Sequence, residues 1–152
     1  MPVTITVPDN YWLPLAVGLG AMPLLATVHG TIVGRLRKPA NVPYPHTYAT
    51  PEQCKSNPKA EQFNCAQRAH ANYLENFPQT MLYTLVAGLK WPVASAVMGG
   101  AWVFFRILFL QGYVYSGLEQ GKGRFRGGLF WFFQGGLWAM AAFGVGKSLT
   151  DS

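Results

Sequence analysis

The stretch Phe63-Asn-Cys-Ala-Gln-Arg-Ala-His-Ala-Asn-Tyr-Leu-Glu-Asn-Phe-Pro78 leads into the apolar run Met81-Leu-Tyr-Thr-Leu-Val-Ala-Gly-Leu89. At helical spacing Arg68, Asn72 and Glu75 stand at i, i+4 and i+7 and share one face. A cation, an amide and a carboxylate then sit at the polar end of a helix whose continuation suits a bilayer. Ionisable groups at that depth are costly to desolvate and face a partner helix or a ligand. Two readings follow: a ligand site, or an Arg68–Glu75 pair that only fastens helices together.

The rest of the chain supplies the membrane context. Its 152 residues make one domain, 1–152. Only 12% of them are charged, against about 25% in ordinary soluble domains, so the chain reads as a membrane protein with one long polar segment. Residues 10–34, 91–105 and 127–146 contain no Asp, Glu, Lys or Arg. With the quoted stretch they predict helices at about 11–34, 63–90, 93–117 and 127–147, each near the ~20 residues that span a bilayer. The expected fold is all-α, an integral membrane four-helix bundle. The first apolar run is too long for a signal-peptide core and lacks a basic flank, so it is expected to stay in the mature chain. Pro14 and Pro23 are expected to kink it, and His29 reads as a packing residue.

The net charge of +6 is distributed unevenly. Arg35, Arg37, Lys38, Lys55 and Lys59 lie between the first two helices, and Lys122, Arg124 and Arg126 between the last two. Only Lys90 and Lys147 lie on the other side. The excess of basic residues puts both of these loops in the cytosol and both termini on the far face. With no Gly-rich phosphate loop and no aromatic-interleaved basic patch, nucleic acid is excluded as a partner.

The segment of about 35–62 carries Pro39, Pro43, Pro45, Pro51 and Pro58 and reads as an ordered cytosolic loop. Cys54, Cys65, His46 and His70 match no zinc spacing, and neither cysteine has an obvious base beside it. No metal and no cysteine nucleophile are expected. Small residues in Ala94-Ser-Ala-Val-Met-Gly-Gly-Ala101 and at Gly135-Gly136 predict close helix approach. Trp91, Trp102, Trp131 and Trp138 read as interface anchors or lipid-facing bulk.

A second polar stripe lies in the third helix, where Arg106, Phe109 and Tyr113 follow i, i+3, i+7 spacing. Arg106 and Glu75 fall at comparable depth, within reach of pairing. Guanidinium groups for carboxylates, with an amide and a carboxylate for an amine, are what a small anionic ligand requires.

Val42-Pro-Tyr-Pro-His-Thr-Tyr48, Phe63-Asn-Cys-Ala-Gln-Arg-Ala-His-Ala-Asn72 with Leu74-Glu75, Arg106 with Gly112-Tyr113, and Gly123-Arg-Phe-Arg-Gly127 occur in this order. Together they resemble the membrane-associated proteins in eicosanoid and glutathione metabolism (MAPEG), and within them the microsomal glutathione S-transferase 3 group. The resemblance implies a homotrimer that binds glutathione as co-substrate at subunit interfaces near the cytosolic face. It implies an enzyme, a glutathione transferase with peroxidase activity toward lipophilic electrophiles or lipid hydroperoxides taken from membrane lipid. The alternatives are a non-catalytic lipid-binding scaffold of the lipoxygenase-activating type and a glutathione-dependent lipid peroxide isomerase. The endoplasmic reticulum is the expected membrane, with the outer mitochondrial membrane the alternative.

By the same resemblance Arg37 would bind glutathione from a neighbouring subunit, and Lys38 would assist chemistry on the second substrate. Arg68, Asn72 and Glu75 form the core glutathione motif, and His70 stands where some relatives have glutamine. Arg106 supports the site and Tyr113 touches the ligand. Phe109 and Asn76 occupy positions that are tyrosine in some relatives. Arg124 would stabilise the glutathione thiolate. The loop between Tyr113 and Arg124 reads as two residues longer than in relatives, so Arg126, or Lys122, is the alternative thiolate partner.

Overall fold

Uncharged sequence becomes helix, and so does more of the polar segment than its prolines suggest. The computed structural model describes residues 6–150, all-helical with loops and turns and without strands among the described residues. The ends of the expected domain, 1–5 and 151–152, lie outside the described residues. Helix α1 is Trp12–Arg37, α2 is Pro51–Ser56, α3 is Pro58–Gly88 and α4 is Pro92–Tyr115. A 3-10 segment, Glu119–Gly127, precedes α5, Phe130–Thr150. Helices α1 and α4 are each long and apolar enough to cross a membrane. The 3-10 segment and α5 meet that test only together. Helix α3 carries Lys59, Glu61, Arg68 and Glu75 in its first two-thirds, which sets it apart from the apolar helices.

The polar segment departs from the expected loop of 35–62. Helix α1 runs to Arg37, α2 forms inside the segment, and α3 starts at Pro58 rather than 63. The reason is local. Pro51 sits in the first turn of α2, where a missing N–H is no loss. Thr50 and Gln53 form a reciprocal capping box, each side chain bonding the other's backbone N–H. At α3, Asn57 accepts from the Lys59 N–H at 3.0 Å, ahead of a second first-turn proline. The remaining loop is pinned from both sides. Arg37 donates to the carbonyls of His46 (2.7 Å) and Val42 (3.3 Å) and lies over the rings of Tyr44 and Phe63. Asn64 bonds both the N–H and the carbonyl of Ala49, and Gln67 donates to the Thr47 carbonyl at 2.7 Å.

The described chain sorts into two compact units. Residues 6–23, 77–103 and 130–150 form one. Here Tyr11 donates to the Leu85 carbonyl at 2.9 Å, and Gly99 is closed in by Val17 and Thr84. Gly136 meets Met98, whereas Gly100 and Gly135 face open space, so only one glycine of each expected small pair is a packing contact. Trp102 corrects the interface reading: it is fully buried, its indole N–H donating to Gln134 Oε1 at 3.0 Å. A buried tryptophan needs such an acceptor. Pro14 and Pro23 flank a π-helical stretch, Ala16–Ala21, inside α1.

Residues 24–76 and 104–129 form the other unit. Within it the 3-10 segment returns along the end of α4 by backbone contact. A Cβ on Gly112 would strike the Gly123 carbonyl, and one on Gly123 would strike that of Gly112. Gly127 lies equally close to the backbone at Phe105 and Phe109. Gly123→Ala is therefore expected to lower stability by about 1–3 kcal/mol, an overpacking cost without a flexible neighbour to yield. Gly100→Ala, in open helix, is expected to change stability by about 1 kcal/mol or less in the stabilising direction. Thermal midpoints of the two variants in the same detergent check both.

Candidate functional site

The predicted polar face of α3 exists, but its partners differ from the expected ones. Arg68 Nη1 and Glu75 Oε1 form an ion pair at 2.8 Å, each side chain about half exposed (48% and 53%). Seven residues is two helical turns, a span that an arginine side chain covers along one face. Glu75 is thus taken up by Arg68. Arg106 is fully buried and donates from Nη1 to Asn72 Oδ1 at 2.8 Å. Its guanidinium lies 4.6 Å from the Phe109 ring centroid and 5.2 Å from that of Tyr73. The expected Arg106–Glu75 pairing is replaced by these two separate bonds, one buried and one open.

Around this core the other expected site residues take distinct places. Asn76 is buried and donates to the Asn72 carbonyl at 2.8 Å, one turn back along its own helix. Phe109 is buried edge-on to Tyr113, with centroids 5.5 Å apart. His70 is half-buried and stacks toward His29, 6.0 Å away, and His29 in turn stacks on Tyr73 at 4.7 Å. His29 is a packing residue in the sense expected, wholly enclosed. Arg37 serves the loop, as described above, and Lys38 is exposed just beyond α1.

Arg124 is brought to Tyr113 by an unusual turn. Gln120 and Gly121 both have positive φ (54° and 61°), and a Cβ at Gly121 would collide with the Tyr113 ring. Left-handed backbone of this kind favours glycine. The turn returns the chain to the tyrosine. Arg124 Nη1 then donates to the carbonyls of Gln120 (2.9 Å) and Gly121 (3.0 Å), which hold it 5.6 Å from the Tyr113 ring centroid. Phe125 lies on its other side at 4.5 Å. Lys122 and Arg126 are exposed.

Two neighbouring cavities open on Tyr113. The smaller, about 300 Å³, is lined by Tyr48, Glu61, Asn64, Cys65, Arg68, Tyr113 and Gln120. The larger, about 510 Å³, shares Glu61, Cys65, Tyr113 and Gln120 and adds apolar walls at Pro58, Val114 and Leu118. Both volumes suit a small molecule. Arg68 and Tyr113 were expected here; Glu61, Cys65, Tyr48 and Gln120 were not. A signal was present, because Glu61, Asn64 and Cys65 extend the Arg68–Asn72–Glu75 stripe backward at three- and four-residue steps. Cys54 beside them is a free thiol whose pKa is raised by burial and by its bond to Glu61, which keeps it protonated at neutral pH. Among the described residues no three His, Cys, Asp or Glu side chains converge as a metal site.

The polar α3 face, the buried arginine on α4 and the basic glycine turn before α5 lie within the span of one known family. A model of the MAPEG family matches residues 15–143. The chain belongs to the MAPEG family. MAPEG proteins are membrane-associated and handle glutathione and lipophilic substrates. They include glutathione transferases and peroxidases as well as non-catalytic members. The matched span takes in every residue of the polar face, Arg106, Tyr113 and Arg124.

The Asn72 amide tests the geometry. Asn72→Ala takes a charge-assisted hydrogen bond from a buried guanidinium, a loss of about 1.5–3 kcal/mol. The expected outcome is a clear fall in thermal midpoint in detergent, larger than that for Arg68→Ala, whose half-exposed pair is worth about 1 kcal/mol or less.

Proposed function

We propose that this MAPEG protein is a membrane-bound glutathione transferase with glutathione peroxidase activity, of the kind found in the microsomal glutathione S-transferase 3 group that its motifs resemble. The observation that carries the reading is that Arg68 and Tyr113 line one small cavity while Arg124 stands 5.6 Å from the Tyr113 ring centroid. Glutathione is an anion at neutral pH. Arg68, fixed by Glu75, is suited to one of its carboxylates, because a guanidinium offers paired donors in a planar fork. Asn72 and Arg106 hold α3 and α4 in register behind it, with Asn76 bonded one turn back on α3 and His70 and Phe109 as packing neighbours.

Arg124 is the residue assigned to the sulfur, with Arg126 as the alternative. A free thiol titrates near ~8.5, so most of it is protonated at neutral pH and only the thiolate attacks. A cation within reach favours the anion and lowers that pKa. The two carbonyls that hold Arg124 orient the guanidinium before the ligand arrives. The thiolate then attacks an electrophilic carbon, forming a C–S bond as the leaving group departs with its electron pair. With a lipid hydroperoxide it attacks the outer oxygen, and the O–O bond breaks to leave the alcohol after protonation. A second glutathione then completes the disulfide and releases water. No metal takes part.

The apolar walls of the larger cavity and the apolar faces of α1 and α4 support a substrate that arrives from membrane lipid. A homotrimer is proposed as the assembly, as the resemblance to the family implies, with the half-exposed Arg68–Glu75 pair turned toward a neighbouring subunit. Arg37 and Lys38 would then face the adjoining subunit near the cytosolic surface. The endoplasmic reticulum is the proposed location.

The test is ultraviolet thiolate absorbance on adding glutathione to purified protein at pH 7. The wild type is expected to show the band, and Arg124→Ala to lose most of it while still binding glutathione. An undiminished band in Arg124→Ala moves the role to Arg126. Glutathione bound without a band in either protein contradicts the enzyme reading and favours a non-catalytic lipid-binding member.

A further inference from the structure

The 3-10 segment has an outer surface that the site at Tyr113 does not use. Gly123 lies against Gly112, and Gly127 against Phe105 and Phe109, so the segment runs back along α4, away from that helix's end at Tyr115. Phe109 is six residues inside that end, about 9 Å along a helix long and apolar enough to cross a membrane. Side chains three apart in a 3-10 helix stand in line. The inner line holds Gly121, Arg124 and Gly127, with both glycines buried and Arg124 beside Tyr113. Two lines remain outside. Lys122 is followed after three residues by Phe125, and Arg126 by Leu129; all four are exposed, the apolar pair by 69% and 59%.

On each outer line the cation comes first, and the apolar side chain lies about 6 Å further along, in the direction that leads deeper beside α4. Charge toward water and apolar bulk toward hydrocarbon is the order of a bilayer interface. The two cations are also unengaged. Arg124 is held by two carbonyls, whereas among the described residues the side chains of Lys122 and Arg126 take part in no hydrogen bond or ion pair. Glu119, the acid of the segment, precedes the left-handed turn and lines the larger cavity. Exposed cations at this depth call for an anion. The basic side of the chain reads as the cytosolic one, where the leaflet is rich in anionic phospholipid.

We propose that Lys122 and Arg126, with Phe125 and Leu129 beneath them, form a binding site for an anionic phospholipid of the surrounding leaflet. The two cations meet the anionic headgroup, and the apolar pair lies against the upper part of the acyl chains. The site meets the glutathione reading above at one point only. It gives Arg126 to lipid, and so rests on Arg124 being the residue at the sulfur.

The experiment measures equilibrium binding of phosphatidylserine and of phosphatidylcholine with identical acyl chains to the full-length protein in mixed detergent micelles. Wild type is expected to prefer phosphatidylserine by about tenfold or more, the scale that two cations at a membrane surface supply. Lys122→Gln combined with Arg126→Gln is expected to lose that preference, and Lys122→Arg combined with Arg126→Lys to keep it. Phe125→Ala is expected to weaken both lipids together and leave their ratio unchanged. Neither glycerophosphoserine, which has the headgroup without the chains, nor saturating glutathione is expected to displace phosphatidylserine. The proposal is overturned if wild type binds the two lipids equally, if the double glutamine variant keeps the preference, or if glycerophosphoserine competes as well as the lipid does. Displacement by glutathione would also overturn it and return Arg126 to the thiolate. A double glutamine variant that binds both lipids as wild type does but loses its oligomeric state would assign the face to a second copy instead. The lipid preference is read without glutathione, so its failure leaves the transferase reading standing.

Discussion

A fully buried guanidinium is the constraint around which the site is organised. Removing an arginine from water costs several kcal/mol unless its donors are met inside the protein. Arg106 answers this with a bond to Asn72 and with the faces of Phe109 and Tyr73. Each of those partners has a fixed place on α3 or α4, so the charge sets the register between the two helices in this unit. That register decides what is left for function. Once Asn72 turns to Arg106, Arg68 and Glu75 are left on the open side of α3, where they pair with each other. The buried bond is structural and the open pair is available.

The second determinant is steric. Glycines at 112, 121, 123 and 127 allow backbone and ring contacts that any larger residue would block. They bring the 3-10 segment against α4 and turn it so that Arg124 faces Tyr113. The same segment supplies Gln120 to both cavities. The position of Arg124 thus depends on residues that carry no chemistry themselves. The carbonyls of Gln120 and Gly121 keep the guanidinium oriented without neutralising it.

Much of this was legible in the chain itself. Uncharged runs marked α1, α4 and α5, and the i, i+4, i+7 stripe put Arg68, Asn72 and Glu75 on one helix face. Proline misled twice, at Pro51 and Pro58, because a proline that opens a helix looks in sequence like one that forbids it. Trp102 was misread because whether a tryptophan finds a buried acceptor depends on a residue 32 positions away. The pairing of Arg106 was beyond periodicity, which gives depth but not the choice between Asn72 and Glu75. Glu61 was overlooked because it lies in the polar segment assigned to a loop; with α3 starting at Pro58 it joins the stripe.

The central claim is that this polar face serves chemistry and not only helix packing. Its most direct test is the rate at which purified protein, in detergent with added phospholipid, consumes glutathione in the presence of an activated aryl halide. The account predicts a rate well above the uncatalysed reaction that saturates as glutathione rises. A rate equal to the uncatalysed one, from protein with full helical circular dichroism, would contradict it.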